Sequence, residues 1–240
     1  MPRFYLEAGL APGLILELPS DVVRHIHVLR LREGGGIVLF NGNGKSYPAV
    51  LRHLSKKSVQ AEVTGEEGSD NESPLDITLV QAVSSGERMD FTLQKSVELG
   101  VNRIIPVTSA RSIVKLDVER AEKRVARWQE IVISACEQCG RNVVPQVMPI
   151  MGFRQMLQCL PEKSTRFLLG LNDAQLLNNR VDKPERIVFM VGPEGGWAPE
   201  EEQQALAAGF EAILLGPRVL RTETAALAAL AAMQTLWGDF

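Results

Sequence analysis

The chain of 240 residues contains only three cysteines and three histidines. So few cysteines, odd in number, argue against a disulfide framework and are typical of a reducing compartment. The sequence has no run of eighteen apolar residues and no early apolar segment of the signal-peptide type, so neither a membrane span nor a signal peptide is supported. We therefore expect a globular cytoplasmic protein.

The familiar phosphate-binding and metal-binding spacings are also missing. Gly44, Lys45 and Ser46 resemble the end of a P-loop, but Leu39 stands where the first glycine of that motif is required. Cys136 and Cys139 form a C-x-x-C pair in a helical pattern, without a second pair or a histidine cluster. We expect a hairpin turn at Gly44, buried helix thiols at the cysteines and no metal.

Two similar loops stand out in the last third of the chain. The first follows the buried-strand pattern Ile187–Val191 and contains Gly192, Pro193, Glu194, Gly195 and Gly196. Pro199 is suited to the first turn of the next helix, its positive end carries three glutamates, and Gly209 is a stop signal. The glycines lack the G-x-G-x-x-G spacing of a dinucleotide site.

The second loop repeats this plan. Ala212–Leu215 reads as a strand, Gly216 and Pro217 as a turn, and Thr222 as the N-cap of an alanine-rich final helix. Because ligands bind outside the carboxyl ends of strands in open α/β sheets, the two loops predict one site. Backbone groups and apolar walls suit an adenine ring and its ribose; the alternative is a pair of ordinary strand-helix turns.

Charge is distributed unevenly along the chain. Residues 1–65 carry eight basic and five acidic residues, a balance of +3, whereas the remainder carries eighteen basic and twenty-four acidic residues, a balance of −6. A basic module attached to an acidic one is consistent with RNA binding by the first. Short strand patterns separated by glycine and asparagine turns predict a small barrel or meander there, after a helix at Asp21–Leu31: Ile37–Phe40, Tyr47–Leu54 and Val59–Val63.

Residues 65–74 have linker composition, and we place a domain boundary within them. From Leu75 onward, strand and helix patterns alternate, which predicts a largely parallel sheet with helices on both faces. The predicted strands are Ile77–Val83, Arg103–Val107, Phe167–Leu171, Ile187–Val191 and Ala212–Leu215, and a long helix is predicted at Asp117–Cys139. Pattern alone favours an unknotted doubly wound sheet, because chains rarely thread loops.

Several long motifs occur in the order of one known family. They are HVLRLR from His27, QKSVELGV from Gln94, ACEQCGR from Ala135, VGPEGG from Val191 and LGPRVLRTETA from Leu215. The chain resembles the ribosomal RNA uracil-N3 methyltransferases of the SPOUT, or α/β-knot, superfamily. That resemblance implies a PUA-like β-barrel at residues 1–70 and, at residues 71–240, a SPOUT α/β domain with a mostly parallel sheet and a deep trefoil knot.

The resemblance also implies an activity. A member of this family methylates N3 of one uridine in the 16S ribosomal RNA of the small subunit, uses S-adenosylmethionine, and works as a homodimer in the cytoplasm without a membrane partner. Two other classes stay open: an RNA-binding relative that methylates another RNA or lacks catalysis, and a nucleotide-binding α/β enzyme unrelated to RNA. The intact loops argue against loss of catalysis, and the missing Walker and Rossmann spacings argue against the nucleotide enzyme.

Candidate site residues follow from the same resemblance. The residues expected to contact the cofactor are Leu171, Gly192, Glu194, Gly195, Leu215, Gly216, Leu220, Thr222 and Ala225. Those expected to act on the base are Arg111 and Arg141, which would grip phosphate or uracil oxygens, and Glu98 and Glu137, as candidate proton acceptors. Those expected to bind RNA are Arg3, Arg24, Arg30 and Arg32. The alternatives are surface acids for the two glutamates, a solvated basic face for the arginines, and water as the proton acceptor.

Overall fold

The computed structural model describes residues 1–68, 71–112, 117–170, 174–179 and 183–240. The chain divides into two compact units: Met1–Glu72 with Cys136–Val144, and Ser73–Ala135 with Pro145–Phe240. Sequence pattern gave no sign that a later segment, Cys136–Val144, belongs with the first unit. Of the helices in the described ranges, none has the length and hydropathy needed to cross a membrane.

Within its described residues, the first unit contains a six-stranded sheet and one complete helix. Its elements are β1 (Arg3–Tyr5), β2 (Ile15–Glu17), α1 (Ser20–Val28), β3 (Gly36–Phe40), β4 (Lys45–Leu54), β5 (Val59–Val63) and β6 (Glu67–Gly68). The strand order is β1-β3-β4-β5-β2, with β6 on β4, and all pairs are antiparallel except β1 with β3. In β5 the fully buried Val59, Ala61 and Val63 alternate with more exposed residues, as expected for a strand with one face on the core. The predicted module of short strands is confirmed.

A hairpin joins β3 to β4, as the sequence predicts for Gly44, Lys45 and Ser46. Gly42 and Gly44 have φ values of +88° and +85°, which glycine adopts without steric cost. The two strands then pair antiparallel, so the segment that resembles a P-loop ending is a turn and the start of a strand.

Helix α1 ends in an unusual way. The Arg30 N–H donates to the His27 carbonyl at 3.1 Å, and the Leu31 N–H donates to the Ile26 carbonyl at 3.2 Å, the two bonds of a Schellman motif. Such a motif needs a left-handed residue, usually glycine, and here Arg30 takes that position with φ +54°. The helix therefore stops before Leu31, the predicted end.

The second unit is an α/β unit. Its strands are β7 (Asp76–Ala82), β8 (Arg103–Thr108), β9 (Gln146–Val147), β10 (Met151–Gly152), β11 (Thr165–Leu169), β12 (Gln175–Leu176), β13 (Arg186–Val191) and β14 (Phe210–Leu214). Its helices are α2 (Gly86–Glu98), α3 (Val118–Cys139), whose last turn belongs to the first unit, α4 (Phe153–Gln158), α5 (Pro199–Ala207) and α6 (Thr222–Trp237). The five strands predicted from sequence are confirmed within a few residues, except that Leu171, the predicted end of one of them, lies outside the described residues. The two-residue strands were not predicted.

Every strand pair in this second sheet is parallel, which confirms the predicted sheet type. The strand order is β10-β8-β7-β13-β11-β14-β12, with β9 on β8, so the late strand β13 lies between β7 and β11. Residues 187–191 of β13 are all buried, as expected for a central strand covered on both faces. The trefoil knot stays a prediction.

Helix α6 packs against α2 and lies on β13. Its buried side includes Leu230, Met233 and Trp237, and the Trp237 ring stacks on Phe167 of β11 with 6.1 Å between ring centroids. The final helix is therefore part of the core of the second unit.

Candidate active site

A cavity of about 800 Å³ lies in the second unit at the carboxyl ends of β11, β13 and β14. This is the edge of a parallel sheet at which α/β proteins bind ligands. Its lining consists of residues 169–170, 191–197, 213–216 and 218–222, with Arg88, Glu202 and Ala225. The two loops singled out by their Gly-Pro turns thus form walls of one cavity.

The loop after β13, which we call the first loop (residues 192–197), closes in a tight turn. The Gly196 N–H donates to the Pro193 carbonyl at 2.9 Å, and Gly196 has φ +69°. A Cβ atom at Gly192 would lie 3.3 Å from Nε1 and 3.4 Å from Cδ1 of the buried Trp197 side chain. The backbone of Gly196 thus favours glycine, and a side chain at Gly192 would have to displace the Trp197 ring by a few tenths of an ångström.

Two arginines from other elements hold the first loop. Arg88, near the start of α2, donates from Nη1 to Oε1 of Glu194 at 2.6 Å in a partly exposed ion pair. Arg111, after β8, donates from Nη1 to the Gly195 carbonyl at 2.9 Å. The loop is consequently attached to α2 and to the loop after β8.

A buried carboxylate joins the start of α5 to the loop after β8. Glu201, which is 7% exposed, accepts from the Ala110 N–H through Oε1 and from the Ala198 N–H through Oε2, both at 2.9 Å. Sequence analysis treated Glu201 only as one of three acids at the positive end of α5. Its position three residues after Ala198, the residue that precedes the helix, was the available signal, because a glutamate there reaches back to that N–H.

The loop after β14, which we call the second loop (residues 215–221), is more open. Pro217, Arg218 and Val219 are exposed, and Val219 retains 78% of its accessible surface. This loop lines the cavity from residue 215 to residue 221 with the exception of Pro217.

Thr222 joins the two loops. The prediction that Thr222 is the N-cap of α6 is wrong: the helix begins at Thr222, Arg221 is the N-cap residue, and the Arg221 side chain makes no capping hydrogen bond within the described part of the chain. The Thr222 hydroxyl instead donates to the Gly192 carbonyl at 2.7 Å. Thr222 therefore lies one residue too late in the chain to be the N-cap, and its hydroxyl proton is directed to the first loop.

Comparison with known proteins identifies the family. A family model described as an RNA methyltransferase domain matches residues 71–234, and another described as an RNA methyltransferase PUA domain matches residues 18–64. The chain is 33% identical to the ribosomal RNA small subunit methyltransferase E of Buchnera aphidicola subsp. Acyrthosiphon pisum, over 100% of this chain and 95% of that protein. It is 32% identical to the Bacillus subtilis protein of the same name, over 97% of this chain and 96% of that protein. The chain belongs to the ribosomal RNA small subunit methyltransferase E family.

Solved structures agree with this membership. The family member from Neisseria gonorrhoeae, solved bound to S-adenosyl methionine, superposes with a TM-score of 0.97 at 59% identity and covers 100% of this chain and 99% of that one. A putative methyltransferase from Legionella pneumophila, solved with its bound cofactor, gives a TM-score of 0.94 at 38% identity, with 99% and 98% covered. The predicted family and fold class, an RNA methyltransferase domain preceded by a PUA domain, are confirmed.

Eight of the nine residues expected to contact the cofactor in this family line the cavity: Gly192, Glu194, Gly195, Leu215, Gly216, Leu220, Thr222 and Ala225. The ninth, Leu171, lies outside the described residues. The lining also includes Trp197, the last residue of the first loop, and Arg88, which sequence reasoning did not single out. The direct cofactor contacts themselves stay a prediction.

Of the four residues expected to act on the base, none is among those that line the cavity. Of the four, Arg111 is in contact with the cavity wall, because it donates to the Gly195 carbonyl of the first loop. Glu98 lies at the end of α2 and forms an ion pair with Lys95 at 2.7 Å.

Arg141 and Glu137 belong to the first unit, where both have internal partners. Arg141 is 4% exposed and donates from Nε and Nη2 to Oε2 of Glu72 at 3.0 and 2.6 Å. Glu137 accepts from the Tyr5 N–H at 3.0 Å, and burial raises the pKa of its carboxyl group. Through these contacts, both side chains stabilise the first unit.

The arginines expected to bind RNA fall into two groups. Arg24, Arg30 and Arg32 are exposed. Arg3 is half-buried: its Nη2 donates to Oδ1 of Asn142, and its guanidinium lies 5.1 Å from the centroid of the Phe40 ring. Burial lowers the pKa of Arg3. Arg3 therefore differs from the other three in being held inside the unit.

The cysteine pair lies in the last turn of α3. Cys136 is buried, its thiol donates to the Val143 carbonyl at 3.8 Å, and burial raises its pKa to about 12. Within the described ranges, no group of three or more histidine, cysteine, aspartate or glutamate side chains is arranged to hold a metal.

Proposed function

We propose that this protein methylates N3 of one uridine in the 16S ribosomal RNA of the small ribosomal subunit, with S-adenosylmethionine as the methyl donor. The observation that carries the proposal is the cavity itself, because the two motif loops that define the family resemblance meet there. The N. gonorrhoeae relative, which is 59% identical to this chain, was solved with this cofactor bound.

The cavity suits that cofactor in size and chemistry. Its volume of about 800 Å³ falls within the range of ~300–1,000 Å³ that is usual for small-molecule sites. Leu169, Leu215, Leu220 and Trp197 offer apolar surface for the adenine ring and ribose, and the glycine backbone of the first loop offers N–H and C=O groups. We assign cofactor binding to the eight lining residues of the family pattern and to Leu171.

The chemistry required of the protein is modest. The bound cofactor supplies a methyl group on a sulfonium, which is already a strong electrophile. The protein must align uracil N3 with it, and alignment alone lowers a barrier by ~7–11 kcal/mol in favourable cases.

Uracil N3 must also lose its proton. We assign Arg111 to the stabilisation of the resulting anion, because a guanidinium beside the base favours the charged form and Arg111 is attached to the first loop. Glu98, Glu137 and Arg141 take no part in this assignment, since each is engaged with a partner that does not line the cavity. The proton leaves to water.

The first unit would bind the RNA. Arg24, Arg30 and Arg32 are exposed and can approach phosphates, and residues 1–65 carry a balance of +3. A target uridine must be unstacked before N3 is accessible, at a cost of a few kcal/mol unless it already lies in a loop. Selectivity would then come from RNA shape.

We further propose that the protein acts as a homodimer in the cytoplasm. Helix α6 carries half-buried alanines that a second helix could approach closely: Ala228, Ala231 and Ala232. Light scattering at micromolar concentration tests this point, and a mass of one chain contradicts it.

Methyl transfer tests the main proposal. Labelled S-adenosylmethionine is incubated with unmodified small subunits and, separately, with naked 16S RNA, and the RNA is digested for nucleoside analysis. Label in 3-methyluridine supports the proposal, and the preferred substrate shows whether the first unit reads RNA alone or an assembled surface. Cofactor binding without label in either substrate would indicate a different RNA or no catalysis, and absence of cofactor binding would overturn the proposal.

A matched pair of variants tests the RNA surface. Arg30→Gln should weaken RNA binding and reduce the slope of log affinity against log salt by about one, as for one lost phosphate contact. Arg52→Gln removes the same charge from an exposed arginine that already pairs with Glu62 and should change neither. Equal effects of the two variants would contradict a specific role for Arg30.

A further inference from the structure

A fully buried glutamine lies directly beneath the cavity. Gln81 is 0% exposed and is the penultimate residue of β7, where it pairs in register with Val191, the residue before the first loop. Its side chain does not line the cavity. Gln81 is thus close to the cofactor loops but is not part of their surface.

The direction of each hydrogen bond around Gln81 follows from its partners. Gln81 Nε2 lies 3.1 Å from the Ala82 carbonyl, which can only accept, so the amide nitrogen must face it. The same nitrogen lies 3.0 Å from Oγ1 of Thr222, which lies 2.7 Å from the Gly192 carbonyl. The only hydroxyl proton of Thr222 goes to Gly192, and the Thr222 oxygen therefore accepts from Gln81.

The Gln81 amide lowers the stability of the fold, because one of its polar atoms is buried without a partner in the described part of the chain. Among the described residues, the Gln81 Oε1 atom is buried without a hydrogen-bond partner. An unpaired buried acceptor is unfavourable, and an apolar side chain of similar size would avoid it. What the amide provides in return is the N–H that holds the Thr222 hydroxyl on Gly192.

We propose that Gln81 is a positioning residue for the cofactor cavity: it directs the Thr222 hydroxyl to the Gly192 carbonyl and thereby holds the two cavity loops at a fixed separation. The inference rests on the proposed function, since it names what sets the geometry of the cofactor site. Gln81 touches neither cofactor nor base, so its effect must pass through Thr222.

Cofactor binding measured by calorimetry, without RNA, is the first test. Gln81→Leu should raise the Kd for S-adenosylmethionine about tenfold, as expected when one hydrogen bond no longer orders the site. Gln234→Leu is the matched control, because Gln234 is also a fully buried glutamine of this unit, bonded to Ser73 and Leu99 and absent from the cavity lining. The control should lower the melting temperature but leave the Kd of the folded protein within twofold.

Two further comparisons separate positioning from general stability. Thr222→Val should weaken cofactor binding about tenfold and Thr222→Ser should restore it, because serine keeps the hydroxyl. If Gln81 acts through Thr222, the double variant Gln81→Leu/Thr222→Val should bind no more weakly than Thr222→Val alone. At saturating cofactor, kcat of Gln81→Leu should stay within twofold while KM for the cofactor rises.

The inference fails if the wild type binds S-adenosylmethionine and Gln81→Leu binds equally well, or if the effects of the two single variants add. If Gln81→Leu does not fold, equal binding by Thr222→Ser and Thr222→Val overturns it. Failure of the wild type to bind the cofactor would overturn the proposed function as well, which distinguishes the two outcomes.

Discussion

The two loops of the cavity are built in opposite ways. The first loop is tied at Gly192 by Thr222, at Glu194 by Arg88 and at Gly195 by Arg111. In the second loop, by contrast, Arg218 and Arg221 are exposed and make no side-chain hydrogen bond or ion pair with any described residue.

This difference suggests that the two loops have different roles in binding. A loop held by several bonds keeps its backbone groups in place, which lowers the entropy cost of binding a small molecule. A loop with unengaged side chains adapts to a larger partner. We therefore expect changes in the first loop to alter cofactor binding, and changes at the exposed side chain of Arg218 in the second loop to alter RNA binding.

Gly192→Val should have the largest effect. Its Cβ would press on the Trp197 ring and lie 3.5 Å from the Gly196 carbonyl carbon, and overpacking of this kind costs ~1–3 kcal/mol. We expect about a hundredfold weaker binding of S-adenosylmethionine by calorimetry, at ~1.4 kcal/mol for each factor of ten. Gly86→Ala is the control, because a Cβ there meets nothing within 4 Å. Unchanged affinity in Gly192→Val would mean that the first loop is not the rigid wall.

Glu201→Ala should have the next largest effect, on stability. It removes the acceptor of two backbone N–H groups, and we expect the free energy of unfolding to fall by ~1–3 kcal/mol. Glu200→Ala, an exposed neighbour in the same turn, should stay within ~0.5 kcal/mol. Urea unfolding measures both, and equal losses would show that the helix dipole, rather than the two bonds, explains Glu201.

Arg88→Gln tests a smaller contribution to the first loop. The ion pair with Glu194 is partly exposed, and such pairs are worth ~0–1 kcal/mol. A double-mutant cycle with Glu194→Gln should give a coupling within that range at low salt, and the coupling should nearly vanish at about 1 M salt, where the Debye length is ~3 Å. A coupling that persists in high salt would contradict a solvent-screened pair.

Arg218→Ala should have the smallest effect on the folded protein. We expect the free energy of unfolding to change by less than ~0.5 kcal/mol, because the side chain is exposed and has no hydrogen-bond or ion-pair partner among the described residues. Cofactor affinity should stay within twofold, whereas KM for RNA should rise several-fold and more strongly at low salt. A loss of cofactor binding without a change in KM for RNA would reverse the contrast between the loops.

Sequence was informative where structure is local. Apolar runs ending in Gly-Pro turns placed β13, β14 and both loops, and Pro199 and Gly209 marked the limits of α5 correctly. Arg88 and Gln81 were missed as parts of the site because their roles depend on elements that meet only after folding. The N-cap expectation for Thr222 failed because the helix begins one residue earlier than expected, and the bond from its hydroxyl to Gly192, thirty positions away, could not be predicted from local sequence.

Whether a charged side chain is exposed or paired was the property that the sequence predicted least well. Arg3, Arg24 and Arg141 look alike in the sequence, yet Arg24 is exposed, Arg3 is half-buried and Arg141 is buried on Glu72. A basic side chain does not reveal from sequence alone whether an acid elsewhere in the chain will neutralise it. The strand order could not be predicted either, because no local sequence pattern indicates that β13 lies between β7 and β11.

The place of β13 has a consequence during synthesis. Strand β7 is made early, but its neighbour β13 leaves the ribosome about a hundred residues later, and β14 and α6, which complete the cavity, follow. Until then one long edge of β7, whose residues 77–82 are all buried in the finished unit, has no permanent partner. Such an apolar edge invites pairing with other chains. A nascent chain interrupted before Arg186 would therefore be a seed for aggregation rather than a weakened enzyme.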